Sequence, residues 1–276
     1  MMRVALCNEV IAALPFERQC GFAAAVGYDG LEIAPFTLSD APHLMPAAER
    51  AALRRAAADA GIAITGLHYL MRAPAGLSIT TTDRGVRDKS IDVMRRLCEL
   101  AHDLGAGVLI HGSPDQRRLD PGAETEGLER AADAFAAVAP AAAAAGVVYC
   151  IEPLSKRQTN CINTVAEAAA IVTAVGNPAL KTMIDCSSSA VTEAETIPDL
   201  IRRWIPTGLI GHVHFNDPNR RGPGEGDLQF APIVAALRDV GWRDVIGVEP
   251  FVYEPDGPAC AARAAGYVRA LLEAIP

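Results

Sequence analysis

Short apolar runs and long segments rich in Ala, Leu, Arg and Glu alternate eight times along the 276 residues. The runs lie at 4–8, 31–36, 64–70, 108–112, 147–153, 181–186, 209–215 and 245–251. Helical patterns separate them at 16–26, 46–60, 83–104, 124–145, 163–175, 197–204, 230–240 and 258–274. Near-continuous apolar strands alternating with helices predict a parallel sheet covered on both faces. Eight such units in a chain of this length fit a closed cylinder better than an open sheet. Gly27, Gly61, Gly105, Gly146, Gly176 and Gly241 each stand just past a helical pattern, where a left-handed cap is wanted. No linker or charge block interrupts the series, and the alanine run 141–145 reads as plain helix. The expectation is an α/β fold, a single (β/α)8 TIM barrel over 1–276.

Charge and cysteine usage narrow the partners. With 25 basic and 33 acidic side chains the formal net charge is −8. That balance disfavours nucleic acid, whose phosphates demand clustered Lys and Arg. The Arg pairs at 54–55, 95–96, 117–118, 202–203 and 220–221 are scattered, and most read as solvated faces. No stretch reaches the roughly 18 apolar residues of a membrane span, and the apolar run after Arg3 is too short for a signal peptide. Seven irregularly spaced cysteines, with no Cys-x-x-Cys pair, indicate neither a disulfide framework nor a zinc knot. The expected setting is reducing and cytoplasmic.

In such a barrel the chemistry sits at the carboxyl ends of the strands. The last four runs each end on a potential metal ligand: Glu152, Asp185, His214 and Glu249. Alternation lets each enter the barrel mouth together with the residue two before it, Cys150, Met183, His212 or Gly247. His212 reads as a buried, hydrogen-bonded neighbour of the site and not as a ligand. Three carboxylates and an imidazole meeting there repel one another unless a cation joins them. A set of three oxygens and one nitrogen suits Mn²⁺ first, with Mg²⁺ or Co²⁺ as alternatives, over a thiolate-seeking metal.

The segments Ile151-Glu152-Pro153-Leu154, Met183-Ile184-Asp185, Gly211-His212-Val213-His214-Phe215, Asn219-Arg220-Arg221-Gly222-Pro223-Gly224 and Val248-Glu249-Pro250-Phe251 resemble the xylose-isomerase-like barrel superfamily. Within it they are most similar to the ketose 3-epimerases of the tagatose/psicose group, most tightly over 147–254. The resemblance implies that Glu152, Asp185, His214 and Glu249 bind a divalent metal. It also implies that Glu152 and Glu249 exchange protons with the substrate and that Arg220 contacts a substrate oxygen. Two positions depart from those epimerases: Ser188 stands where they usually carry His, and Gln158 where they carry Glu. Both belong to the substrate's surroundings, so the metal centre is kept while the sugar is left open. Hydroxypyruvate isomerase and inosose dehydratase chemistry stay open on the same framework.

The residue types suit proton abstraction next to a carbonyl. The resulting enediolate needs its charge stabilised by a Lewis acid, one carboxylate as base and a second to return the proton. Glu32, His68 and His111 lie on runs two, three and four, and each could hydrogen-bond a sugar hydroxyl; His68 and His111 are as well suited to structural roles. The loop 222–226 reads as a turn. An AP-endonuclease-like nuclease is disfavoured by Ser188 and by the net charge. A binding subunit without turnover would gain little from crowded carboxylates. The expected partner is a small sugar, with no nucleic acid and no membrane, in a homodimer or homotetramer by analogy.

Overall fold

Eight parallel strands close on themselves in chain order: β1 (Arg3–Cys7), β2 (Gly30–Ile33), β3 (Ala63–Leu67), β4 (Val108–His111), β5 (Val148–Ile151), β6 (Leu180–Asp185), β7 (Ile210–Phe215) and β8 (Val245–Val248). β1 seals the cylinder against β8, with Ala5 opposite Gly247. The computed structural model describes residues 2–275. The surrounding helices are α1 (Phe16–Val26), α2 (Ala47–Asp59), α3 (Arg84–Leu104), α4 (Glu124–Ala145), α5 (Val165–Val175), α6 (Cys186–Thr192), α7 (Ile197–Trp204), α8 (Phe230–Asp239) and α9 (Gly257–Ala274). The fold is the single (β/α)8 barrel that the alternation predicts. All six cap glycines named above adopt positive φ.

The short helix α6 is absent from the sequence reading. It follows β6 with no intervening loop, and Asp185 caps it by accepting from the Ser188 backbone N–H at 2.6 Å. Its sequence Cys-Ser-Ser-Ser-Ala-Val-Thr is poor in strong helix formers, so the cap and the barrel wall hold it and not its propensity.

Two apolar clusters divide the core. The large one fills the space between barrel and helices. The small one, Val108, Ile110, Cys150 and Met183, lies inside the barrel on β4–β6. It forms an apolar floor below the carboxyl ends of those strands. Among the described residues, all seven cysteines are free and buried, and no helix is long and apolar enough to cross a membrane.

Candidate active site

Glu152, Asp185, His214 and Glu249 present one ligand atom each within 4.8 Å of one another, all four residues buried. Asp185 and His214 are neighbours in register across β6 and β7; Glu152 and Glu249 each stand just beyond the end of β5 or β8. Gly112 is required here, because a Cβ at that position would collide with the Glu152 carboxylate.

The imidazole of His214 is held from below. Its Nε2 lies 2.7 Å from Glu32 Oε1, while Nδ1 faces Glu249 Oε2 at 3.1 Å and Glu152 Oε1 at 3.7 Å. A ring tied at Nε2 to a carboxylate offers Nδ1 as the coordinating atom, the usual arrangement of a ligating histidine. Gly247 makes the approach possible, since a Cβ there would stand 2.6 Å from His214 Cδ2 and 3.0 Å from Glu32 Oε2. Burial alone would raise the Glu32 carboxyl, but His212 and His214 outweigh it and hold it well below the usual range. His214 is in turn held well above the ordinary histidine value: burial opposes this, and Glu249 and Glu32 override it.

The carboxylates are held up by burial first and by mutual repulsion second. Burial, then the Glu152 charge, pushes Asp185 up to about 6. Burial pushes Glu249 up to about 8, with Glu152 adding to the shift and His214 offsetting part of it. Asn216 steadies two of them, donating Nδ2 to Asp185 Oδ2 at 2.7 Å and standing 3.5 Å from Glu249 Oε2. The strained acids, the directed imidazole and the oxygen-rich donor set fit a hard divalent ion.

Glu152, Asp185 and Glu249 line a cavity of about 570 Å³ at the carboxyl end of the barrel, and His214 lies buried behind them. Arg220, Gln158 and Ser188 line it. Gln158 Oε1 accepts from the Ser155 hydroxyl at 2.8 Å and from Ser188 Oγ at 3.3 Å, joining the loop after β5 to α6. His68 lies beneath the wall, fully buried, with Nε2 at 2.7 Å from Glu9 Oε2 and 3.9 Å from Glu249 Oε1. Its pKa stands at about 9: burial pulls it down, and the Glu9 charge and hydrogen bond override that.

Glu32, His68 and His111 do not reach the cavity, which corrects the expectation that any of them touches a sugar hydroxyl. Glu32 points into the barrel below the mouth and is spent on His214, on His212 at 2.8 Å and on the neighbourhood of Cys7. His111 faces the other way. The alternation that turns Val108 and Ile110 inward turns His111 out against Phe135 and the Tyr149 hydroxyl, 2.7 Å from its Nδ1. Burial and the Arg117 charge lower its pKa to about 3, so it stays neutral.

Arg117 is also not the solvated residue that its sequence neighbourhood suggested. It is fully buried and donates Nη2 to the backbone carbonyl of Glu152 at 2.5 Å. The loop 222–226 is a packed turn: the buried Glu225 accepts from the Gly222 N–H at 3.1 Å and pairs with Arg263.

Sequence reasoning passed over Glu9, Asn216 and Arg72, all on the cavity wall. Asn216 follows His214 by two positions, so extending the same alternation one step past the strand finds it. Glu9 lies in a 3-10 turn (Asn8–Ile11) and Arg72 on a loop, where period carries no information.

The family described as xylose isomerase-like TIM barrel matches residues 20–271. A D-psicose 3-epimerase from Agrobacterium fabrum is 29% identical over 245 residues, 83% of this chain and 77% of that protein. A putative hydroxypyruvate isomerase from Streptomyces coelicolor is 29% identical over 264 residues, covering 89% of this chain and 88% of that one. Among solved structures, a D-psicose 3-epimerase with D-tagatose from Clostridium cellulolyticum H10 superposes with a TM-score of 0.83 at 22% identity, over 98% of this chain and 99% of that chain. At that identity the superposition speaks for the fold.

Proposed function

The chain belongs to the xylose isomerase-like TIM-barrel family, and from that premise we propose that it is a divalent-metal-dependent ketose epimerase. Glu152 and Glu249 form its acid–base pair. The observation that carries this reading is the buried cluster of three carboxylates and one imidazole, whose three carboxylates line one cavity. Relatives named as epimerases support the reaction class.

Glu152, Asp185, His214 and Glu249 would hold the ion, with Mn²⁺ best suited to the donor set and Mg²⁺ or Co²⁺ acceptable. When bound, a dication supplies Lewis-acid stabilisation of the negative charge that develops on the substrate oxygens. Glu152 and Glu249 come from non-adjacent strands, β5 and β8. One carboxylate removes the proton from the carbon beside the ketone and the other delivers a proton to the opposite face, which inverts that carbon. Both groups then return to their starting states by exchange with solvent. Arg117 holds the Glu152 backbone through its carbonyl. Arg220, Gln158 and Ser188 orient the sugar hydroxyls, and Phe251, against which Arg220 stacks at 4.8 Å, shares the cavity wall with Glu249.

A second reading rests on the hydroxypyruvate isomerase relative: aldose–ketose isomerisation would use one carboxylate to move a proton between adjacent carbons. Solvent-deuterium incorporation by the Mn²⁺-loaded protein into a panel of ketoses separates the two. Label at C3 is the expected result. Label at C1 or C2 would make the protein an isomerase, and no label in any ketose would overturn both readings in favour of a binding role.

A further inference from the structure

Three arginines face the cavity, Arg72 from the loop after β3, Arg157 from the loop after β5 and Arg220 from the loop after β7. Their neighbours are spoken for: Arg118 reaches the Gln158 carbonyl at 3.0 Å and Arg221 pairs with Glu254 at 3.2 Å. Among the described residues, none of the three cavity guanidiniums has an ion-pair partner or a side-chain hydrogen bond. They do not serve the cavity's own acids either. Glu9 is taken by His68, and Glu152 and Glu249 by His214.

Arg72 is nevertheless placed. Its guanidinium carbon stands 4.6 Å from the centroid of Phe36 and 5.5 Å from that of Tyr69, two rings that also line the cavity. Stacking uses the face of a guanidinium and leaves its N–H edge free, the edge that matches an oxyanion in two parallel hydrogen bonds. Arg72 and Arg157 stand on either side of the β4 loop, since β4 lies between β3 and β5 in the barrel. That loop contributes only Gly112 and Pro114 to the cavity wall, so it brings no charged side chain of its own between the two arginines. In a chain of net charge −8, these two guanidiniums are exposed at the cavity wall and left unpaired, free to meet an anion.

Resting on the proposed epimerase reading, we infer that the ketose taken by this cavity carries an oxyanion, a phosphate ester or a carboxylate, held between Arg72 and Arg157. Its ketone end then lies toward β5–β8, where the four cluster residues and Arg220 are. The shared chemistry is a tetrahedral or planar oxyanion at the end of the sugar away from the reacting carbon.

The test compares kcat/KM of the Mn²⁺-loaded protein on three substrates of one carbon skeleton: the neutral ketose, its terminal phosphate ester and the keto acid with a terminal carboxylate. One of the two anionic sugars should be preferred over the neutral one by about 10–100-fold, the worth of a charge-assisted pair, and which one identifies the group. The preference should lie mainly in KM and shrink as salt is raised, because exposed charges are screened. In the double variant Arg72→Gln/Arg157→Gln the anionic-to-neutral ratio should collapse toward one. Turnover of the neutral ketose with equal or higher efficiency than both anionic forms would overturn the anion site and leave the epimerase reading standing. A preference that survives the double variant would overturn the assignment to these arginines. No turnover of any of the three would overturn the epimerase reading and this inference with it.

Discussion

Between β4 and β6 the barrel interior is filled by Val108, Ile110, Cys150 and Met183, whereas from β7 round to β3 it is filled by His212, His214, Glu32 and His68. The first side is held by close packing and needs only side chains of suitable volume. The second is a chain of buried charges that must all be paired, since each unpaired one costs far more than a lost methyl contact. The apolar side gives Glu152 and Asp185 a dry floor. The polar side aims His214 by gripping its far nitrogen through Glu32. Substitutions on the polar side should therefore move metal affinity and turnover, and substitutions on the apolar side should move stability alone.

The largest expected effect is at the mouth, where the two sides meet. Glu152→Gln and Glu249→Gln should each lower solvent-proton exchange by about 10²–10⁴-fold, the range for a lost general acid or base, with unchanged far-UV circular dichroism. Near-normal exchange in either variant would remove that residue from the acid–base pair.

Next comes Glu32→Gln, which keeps the volume and removes the charge under His214. Loss of such a support weakens metal binding by roughly 10–100-fold, read as Mn²⁺ affinity by titration of the metal-free protein. Affinity equal to that of the parent would mean that His214 needs no aiming and that the two sides of the barrel are less different than described.

This contrast also explains what the sequence could and could not display. A packed strand advertises itself by period and composition, so the eight strands and eight of the nine α-helices among the described residues were legible. So were the four strand-end residues, because each lies on its own strand's alternation. The role of Glu32 was not. Its partners are 180 and 182 positions away, on β7, and only closure of β1 against β8 brings β2 within reach of them. His111 was misplaced for a plainer reason: it is one residue past the inward-facing Ile110, and a one-residue step changes the face. Arg117 sits in a 3-10 turn (Asp115–Arg117) where no period exists to say which way a side chain goes.

A smaller effect is expected from pH. Glu249 at about 8 and Asp185 at about 6 are acids raised by burial, and His214 is a base held well above its ordinary value. Each must be deprotonated to act as a ligand, so metal affinity rises with pH and falls as pH drops through about 8 toward about 6. Near pH 7 at least one proton should leave per ion bound, which calorimetry in two buffers of different ionisation enthalpy measures directly. Binding without proton release would show that the metal-free cluster is already ionised.

The smallest predicted effect falls on the seam. Met183 belongs to the apolar cluster, yet its register partner on β7 is His212, and the ladder slips between Thr182 and Met183. Met183→Leu changes shape with little change in volume and leaves no polar group unpaired, so stability should shift by less than about 1.5 kcal/mol, as read by thermal or denaturant unfolding. Mn²⁺ affinity should not change, because His212 keeps its contact with Glu32 whichever side chain packs beside it. A fall in affinity with stability preserved would mean that packing on β6 sets the position of the histidines on β7. The apolar floor would then be part of the aiming device, and the division between the two sides would lie elsewhere than at this strand pair.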